Sequence, residues 1–210
     1  MGDYQQAYDT YMKANQTESA TPEGYYWAAQ AKANIVGSNI SDIIALLDSA
    51  VAKTGTPPTA AAAPYLLERI DYKLQLNNFI GAVADYDLYY NLMNGQVADA
   101  FFYYREQAKF RLGELDGALA DIQEAIRLNP NSAIYYAEEA SVFIRMEKYN
   151  EALASIEKAL KLEPDFAASY RLQGVCYIRL KKKAEACQSF NKAKELGDPV
   201  VDRLIKEHCK

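Results

Sequence analysis

The sequence predicts an all-α repeat protein, and three observations carry that prediction. The second half of the chain is self-similar at a spacing of 34 residues. Leu128-Asn129-Pro130 returns as Leu162-Glu163-Pro164. The stretch Ala118 to Ala125 (ALADIQEA) aligns with Ala152 to Ala159 (ALASIEKA) and more loosely with Ala186 to Ala193 (ACQSFNKA), each reading Ala-x3-aromatic or aliphatic-x2-Ala. The composition is that of a folded, soluble protein: 210 residues, 50% hydrophobic and 24% charged, enough for about one or two domains.

Charge and hydropathy exclude other classes. The net charge of -5 is a poor match to a phosphate backbone, so general nucleic-acid binding is disfavoured. No stretch approaches the ~18 to 20 consecutive apolar residues of a membrane span. The first residues also lack the basic and apolar regions of a signal peptide. Metal and nucleophile chemistry would have to draw on Cys176, Cys187, Cys209 and His208. Cys176 and Cys187 read as small buried apolar residues, and an odd cysteine count with one at the C-terminus does not indicate a disulfide framework. His208 and Cys209 are adjacent on a helix and so point about 100° apart, which argues against a catalytic pair. No metal, no cofactor and no catalytic residue is expected.

The repeated pattern resembles the tetratricopeptide repeat. In that family's 34-residue unit, small residues at places 8, 20 and 27 let two antiparallel helices approach. Bulky residues at 4, 11, 17 and 24 fill the gaps, and a proline near 32 ends the second helix. The unit from Ala133 has Tyr136, Ala140, Phe143, Tyr149, Ala152, Ile156, Ala159 and Pro164 at those places. The unit from Ala167 has Tyr170, Gly174, Tyr177, Lys183, Ala186, Phe190 and Ala193, with Pro199 one place late. Upstream, the unit from Asp99 has Phe102, Leu115, Ala118, Ile122, Ala125 and Pro130, but Glu106 and Lys109 stand at places 8 and 11. Its first helix is therefore expected to pack differently or lean outward. Units from Ala63 (Leu66, Phe79, Ala82, Tyr86) and Gly24 (Trp27, Ala31, Ile40, Leu47, Ala50) follow with insertions between them. One insertion is the loop Lys53 to Ala62, broken by Gly55, Pro57 and Pro58.

The resemblance implies a right-handed α-solenoid of antiparallel helix pairs with about 12 helices, running as one solenoid over 1–210. The expected order is a lone second helix at 3–15, then repeats at 24–62, 63–98, 99–132, 133–166 and 167–198, and a capping helix at 199–208. Tyr4, Ala7, Tyr11 and Ala14 fit places 17, 20, 24 and 27 of a unit whose first helix is missing. The chain thus reads as a piece of a longer protein whose targeting segment would lie upstream. Thr21-Pro22-Glu23 starts the helix that carries Trp27. At the other end Asp198 is the expected N-cap, Pro199 the first helical residue, and Val200, Val201 and Leu204 an apolar stripe.

In this family places 2, 5, 9, 12 and 13 of each first helix face the concave groove. Carried onto this chain, those places put Tyr25 and Lys32, Leu67, then Tyr103, Gln107, Phe110 and Arg111, then Arg145, Arg171 and Arg179 along a peptide-binding groove. Arg111, Arg145 and Arg179 recur at place 13, where they would hold carboxylates by bidentate pairing. Place 13 is also often basic simply because it is solvated. Tyr4, Tyr11, Tyr86, Tyr136, Tyr149, Tyr170 and Tyr177, among the 17 tyrosines, sit at packing places, and Trp27 is grouped with them, whereas Tyr25 and Tyr103 have no packing place on the grid. The Lys and Asn set by which some family members clamp the C-terminal carboxylate of chaperone tails is absent here. Residues 1–98 hold 5 basic and 10 acidic side chains, and 99–210 hold 18 of each.

The resulting expectation is a non-enzymatic protein-protein interaction scaffold that binds an extended peptide or partner helix in the groove. The alternative is a structural scaffold that self-associates through exposed repeat ends or the convex face. The partner is a protein or peptide, with no nucleic acid and no membrane insertion. The style of the C-terminal LGDPVVDRLIKEHCK segment points to a bacterial protein, in either cytoplasm or periplasm.

Overall fold

The computed structural model describes residues 2–17 and 19–209. Twelve α-helices and one 3-10 turn make up the described chain, with no strand: α1 (Gly2–Asn15), α2 (Pro22–Ala33), α3 (Ile40–Lys53), the turn Ala60–Ala62, α4 (Ala63–Gln75), α5 (Phe79–Leu92), α6 (Asp99–Leu112), α7 (Leu115–Leu128), α8 (Ala133–Arg145), α9 (Tyr149–Leu162), α10 (Ala167–Arg179), α11 (Lys183–Glu195) and α12 (Val201–His208). Contacts divide it into two compact units, Met1–Val97 and Ala98–Lys210, so the boundary falls one residue before the repeat that starts at Asp99.

Local sequence explains the helix ends. The Thr21 hydroxyl accepts from Gly24 N at 3.1 Å and Pro22 fills the first helical position, so α2 starts two residues before the Gly24 register. Asn39 caps α3 and Asn78 caps α5 in the same way. Between the paired helices of the last four repeats, place 15 turns the chain with a left-handed residue: Asn77 (φ 56°), Gly113 (82°), Glu147 (60°) and Lys181 (61°). Only Gly113 adopts this conformation without a Cβ penalty.

In the first unit, α1 to α5 pack in chain order. Ala28, Ala29, Ile43, Leu46 and Leu47 form one core cluster, and Ala50, Val51, Ala62, Tyr65 and Leu66 form a second. In the second unit, the small residues Ala118, Ala125, Ala140, Ala152, Ala159, Ala186 and Ala193 are buried at the helix crossings, with Ile122, Ile156 and Phe190 between them. Gly174 belongs with them, since a Cβ there would stand 2.3 Å from the Phe190 ring.

Within each of the last four repeats a polar pair joins places 7 and 23, sixteen residues apart. Asp85 accepts two hydrogen bonds from Arg69, at 2.8 and 2.6 Å, and Asp121 accepts the same pair from Arg105. Lys73 and Lys109 add a second cation to each aspartate, at 2.7 and 2.8 Å. In the last two repeats serine replaces the aspartate, and the final pair carries no charge on either side. Ser155 donates to Glu139 at 2.7 Å and Ser189 to Gln173 at 2.8 Å. Each pair ties the first helix of a repeat to its second.

Several expectations need correction. The helix carrying Glu106 does not lean outward: Phe101, Phe102, Arg105, Glu106 and Ala108 of α6 are all buried. Lys109, at a bulky packing place, stays inside because Asp121 neutralises it. Trp27 does not fill core volume but is 50% exposed, because the α2 register is two residues ahead of the Gly24 grid. The last helix begins at Val201 rather than Pro199. Asp198 does not cap it, because its carboxylate accepts from Val200 N at 3.0 Å and from Arg171 Nε at 2.8 Å. Val201, Leu204 and Ile205 pack on the Phe190 cluster, and Val200 points out. Cys187 is not a free apolar residue: it forms a disulfide with Cys209, 22 residues away, which staples α12 to α11. Cys176 is free and fully buried, and burial pushes its thiol up to about 12.

Candidate functional site

The face of interest carries places 2, 5, 9, 12 and 13 of the first helix in each repeat. In the second unit these helices are α6, α8 and α10. Tyr103 of α6 is half-buried, its ring 5.3 Å from that of Tyr135 on α8 and 5.2 Å from that of Tyr104. Burial first, and then Glu138, raises its phenol pKa, and Gln107 beside it supplies an opposing hydrogen bond. Tyr135 donates to Asp99 at 2.8 Å, and Asn129 donates to the same carboxylate at 3.0 Å. These two bonds hold Asp99 below the usual carboxylate range, while burial and Asp99 push Tyr135 up to about 12.

The four arginines differ in their surroundings. The Arg145 guanidinium lies 4.8 Å from the centre of the Phe110 ring, a cation-π contact between α8 and α6. Arg171 is held by Asp198 at 2.8 Å, so the structure commits it to closing the last repeat. Arg111 and Arg179 are exposed and make no ion pair among the described residues. Arg179 borders a cleft of about 230 Å³ with Val175, Ile178, Phe190, Leu204 and His208. Of these residues, Arg145 thus rests on the Phe110 ring, and Arg111 and Arg179 are exposed.

In the first unit the site residues behave differently. Tyr25 packs against both core clusters, and its hydroxyl reaches Asn15 O at 3.4 Å. Lys32 turns toward Asp42 at 3.5 Å and lies 5.1 Å from the Tyr8 ring. Both were expected in the groove; here they have these intramolecular partners. Leu67 on α4 is exposed. Tyr26 and Gln30, which the Gly24 grid does not single out, join α2 to α4. Gln30 Nε2 donates to both Glu68 oxygens at 2.6 and 2.7 Å. Burial raises the Glu68 pKa, Asp71 adds to the rise, and hydrogen bonds from Tyr26 and Gln30 oppose it. The signal that would have found them is Thr21-Pro22, which fixes the first helical residue at 22.

Half-buried acid is the feature that sequence reading missed most. Besides Glu68, it includes Glu138 on α8, raised by burial and partly offset by Arg171. Glu106 on α6 is 1% exposed, with Oε2 lacking any hydrogen-bond partner. Burial first, and then Glu138 and Asp121, push Glu106 up to about 8. Among the described residues no group of three or more His, Cys, Asp or Glu side chains is arranged to hold a metal ion. No helix of the described residues is long and apolar enough to cross a membrane.

The stacking of short antiparallel helix pairs, with small residues at each crossing, defines the chain as an all-α repeat protein of the solenoid class. Residues 137–199 match the family model of the tetratricopeptide repeat. The fold is similar to that of YrrB, described as "a TPR protein with an unusual peptide-binding site". The TM-score is 0.69 at 17% identity, covering 96% of this chain and all of that one. It is also similar to MamA from Desulfovibrio magneticus RS-1, with a TM-score of 0.69 at 16% identity over 83% of this chain and 94% of that one. A third similar structure is the first TPR domain of Spaghetti (RPAP3) bound to an HSP90 peptide, SRMEEVD. There the TM-score is 0.50 at 18% identity over 53% of this chain and 90% of that one. No curated protein matches the sequence significantly. The matched segment carries the tetratricopeptide-repeat pattern, and the fold is that of tetratricopeptide-repeat structures.

Proposed function

We propose that this protein is a non-enzymatic adaptor that holds an extended peptide or partner helix on the face formed by α6, α8 and α10. The observation that carries this reading is the pairing of open cations with an aromatic floor on one face. Arg111 and Arg179 are exposed without an ion pair among the described residues, and Arg145 rests on Phe110 beside Tyr103 and Gln107. Arginines placed this way read carboxylates of a bound chain in bidentate fashion, and half-buried rings accept its apolar side chains. The helices pre-organise both sets, which lowers the ordering cost of binding. The likeness to folds whose descriptions mention peptide binding supports the same reading.

The test is a selection of binders from a library of linear dodecapeptides, repeated with Arg111→Glu, Arg179→Glu and the double variant. Circular dichroism checks that each is folded. Acidic or mixed acidic and aromatic peptides should be enriched on the parent protein, and their affinity should fall about tenfold or more in the double variant, as loss of charge-assisted hydrogen bonds requires. Equal binding by all variants would remove the arginines from the site. Concentration-dependent size in light scattering, with no peptide enriched, would favour self-association instead.

A further inference from the structure

Helix α12 is short, 8 residues against 13 in α10, and it packs on α11 rather than along α10. Val201, Leu204 and Ile205 make that contact, and the Cys187–Cys209 disulfide holds the far end of the helix. Between the three helices a cleft of about 230 Å³ stays open. Its floor is apolar: Val175 and Ile178 come from α10, Phe190 from α11 and Leu204 from α12. Phe190 is fully buried, whereas the other three are only partly covered. The His208 ring, stacked on Phe190 with centroids 6.4 Å apart, forms one wall, and the exposed Arg179 borders the cleft. Partly covered apolar side chains around a cleft favour a hydrocarbon occupant. An apolar cavity of ~150 Å³ is enough to hold benzene, and drug-sized ligands use about 300 to 1,000 Å³. A volume between those two suits one ring or one branched chain.

The charges around the mouth decide the polar end of that occupant. Arg145, at the equivalent place one repeat earlier, rests on the Phe110 ring, whereas Arg179 makes no ion pair among the described residues. The acids of α12 are already engaged. Asp202 pairs with Lys194 at 2.7 Å, and Glu207 pairs with Arg203 at 3.3 Å and stands 4.0 Å from His208 Nε2. Glu185, on the first turn of α11, lines a different cleft with Tyr177 and Lys192. Lys181 and Lys182, in the turn that follows Arg179, add positive charge. An open guanidinium in a cationic surrounding selects a carboxylate, which it grips through two parallel hydrogen bonds. Glu207 beside His208 directs that carboxylate to Arg179 rather than to the imidazole. We propose that the cleft binds a small organic acid, its branched aliphatic or aromatic group among Val175, Ile178, Phe190 and Leu204 and its carboxylate on Arg179. This site goes beyond the adaptor reading, because its occupant is a free small molecule rather than a chain.

Titrations of the full chain followed by methyl NMR test the site. The acids are isocaproate and hydrocinnamate. Isocaproamide keeps the tail without the charge, acetate keeps the charge without the tail, and acetyl-Gly-Gly-Leu presents both groups at the end of a chain. The acids should shift the Val175, Ile178 and Leu204 methyl signals saturably and leave those of Ile43 and Leu47 in the first unit unmoved. The amide and acetate should each bind about tenfold more weakly or worse, as loss of a charge-assisted hydrogen bond or of apolar burial requires. Arg179→Gln, a change at an exposed position with its fold checked by circular dichroism, should reduce the acids to the affinity of the amide and leave the amide unchanged. The absence of a saturable shift, equal affinity for acid and amide, or undiminished acid binding in Arg179→Gln overturns the proposal. Tighter binding of acetyl-Gly-Gly-Leu than of isocaproate also overturns it and gives the cleft to a chain end. The small acids contain no peptide bond, so a failed dodecapeptide selection would sink the adaptor reading and leave this result standing.

Discussion

Glu106 makes the stability of the second unit depend on pH, in a direction opposite to that of an ion-paired carboxylate. In the unfolded chain it titrates near 4.5, and in the folded chain near 8. Below about pH 4.5 both states hold the proton and the group contributes no difference. Between those values the folded state keeps a proton that the unfolded state has released, so stability falls as pH rises. At ~1.4 kcal/mol per pKa unit the whole span corresponds to roughly 5 kcal/mol, of which roughly 3 kcal/mol is already lost at pH 7. Asp121 on α7 and Glu138 on α8 face the group, and both oppose its ionisation. Glu106→Gln keeps the shape and removes the titration.

Urea unfolding from pH 5 to 8.5, followed by far-UV circular dichroism, measures the effect, and hydrogen exchange in α6 to α8 assigns it to the second unit. The parent and the variant should be nearly equal at pH 5. The variant should gain steadily, reaching a few kcal/mol by pH 8. Glu68, Asp71 and Glu138 are raised in the same sense, so part of the fall with pH will persist in both proteins. Parallel curves with no growing gap would refute the reasoning, because they would mean that Glu106 is charged in the folded protein.

Three further outcomes follow from the cores. Asp121→Ala strands Arg105 and Lys109 inside the repeat and should destabilise the protein by about 3 to 5 kcal/mol in denaturant unfolding; a loss below about 1 kcal/mol would mean that the pair is solvated. Gly174→Ala drives a methyl group into the Phe190 ring, so it should lower stability by about 1 to 3 kcal/mol and loosen α10 and α11 in hydrogen exchange. Lys181→Gly removes the Cβ penalty at a left-handed turn and should raise the unfolding midpoint by an amount equivalent to about 0.5 to 1 kcal/mol. No change, or a decrease, would show that the turn relaxes elsewhere.

The sequence by itself determined the helical class and the repeat spacing, because small residues at most crossings leave few other ways to bury the faces that carry Ala118, Ala140, Ala152 and Ala186. The same spacing gives Arg111, Arg145 and Arg179 equivalent places in successive repeats, since a fixed repeat carries equivalent places along the chain. The polar pairing of Arg105 with Asp121 and Ser155 with Glu139 was written there too, as pairs sixteen residues apart, but a grid that tracks apolar volume does not see it. Tertiary structure alone decided whether each polar residue meets a partner. Arg171 and Arg145 sit at equally legible places, yet Asp198 claims one and the Phe110 ring supports the other. Tyr25 and Lys32 found partners within the chain, Asn15 and Asp42, that their places in the repeat do not announce. The pairing of Cys187 with Cys209 depended on α12 folding back onto α11, a long-range contact that cysteine spacing does not encode. Glu106 could be seen as out of place in the sequence, but only packing showed that it stays inside without a counter-ion. Periodicity fixes which face a residue occupies, whereas its charge state depends on every helix that surrounds it.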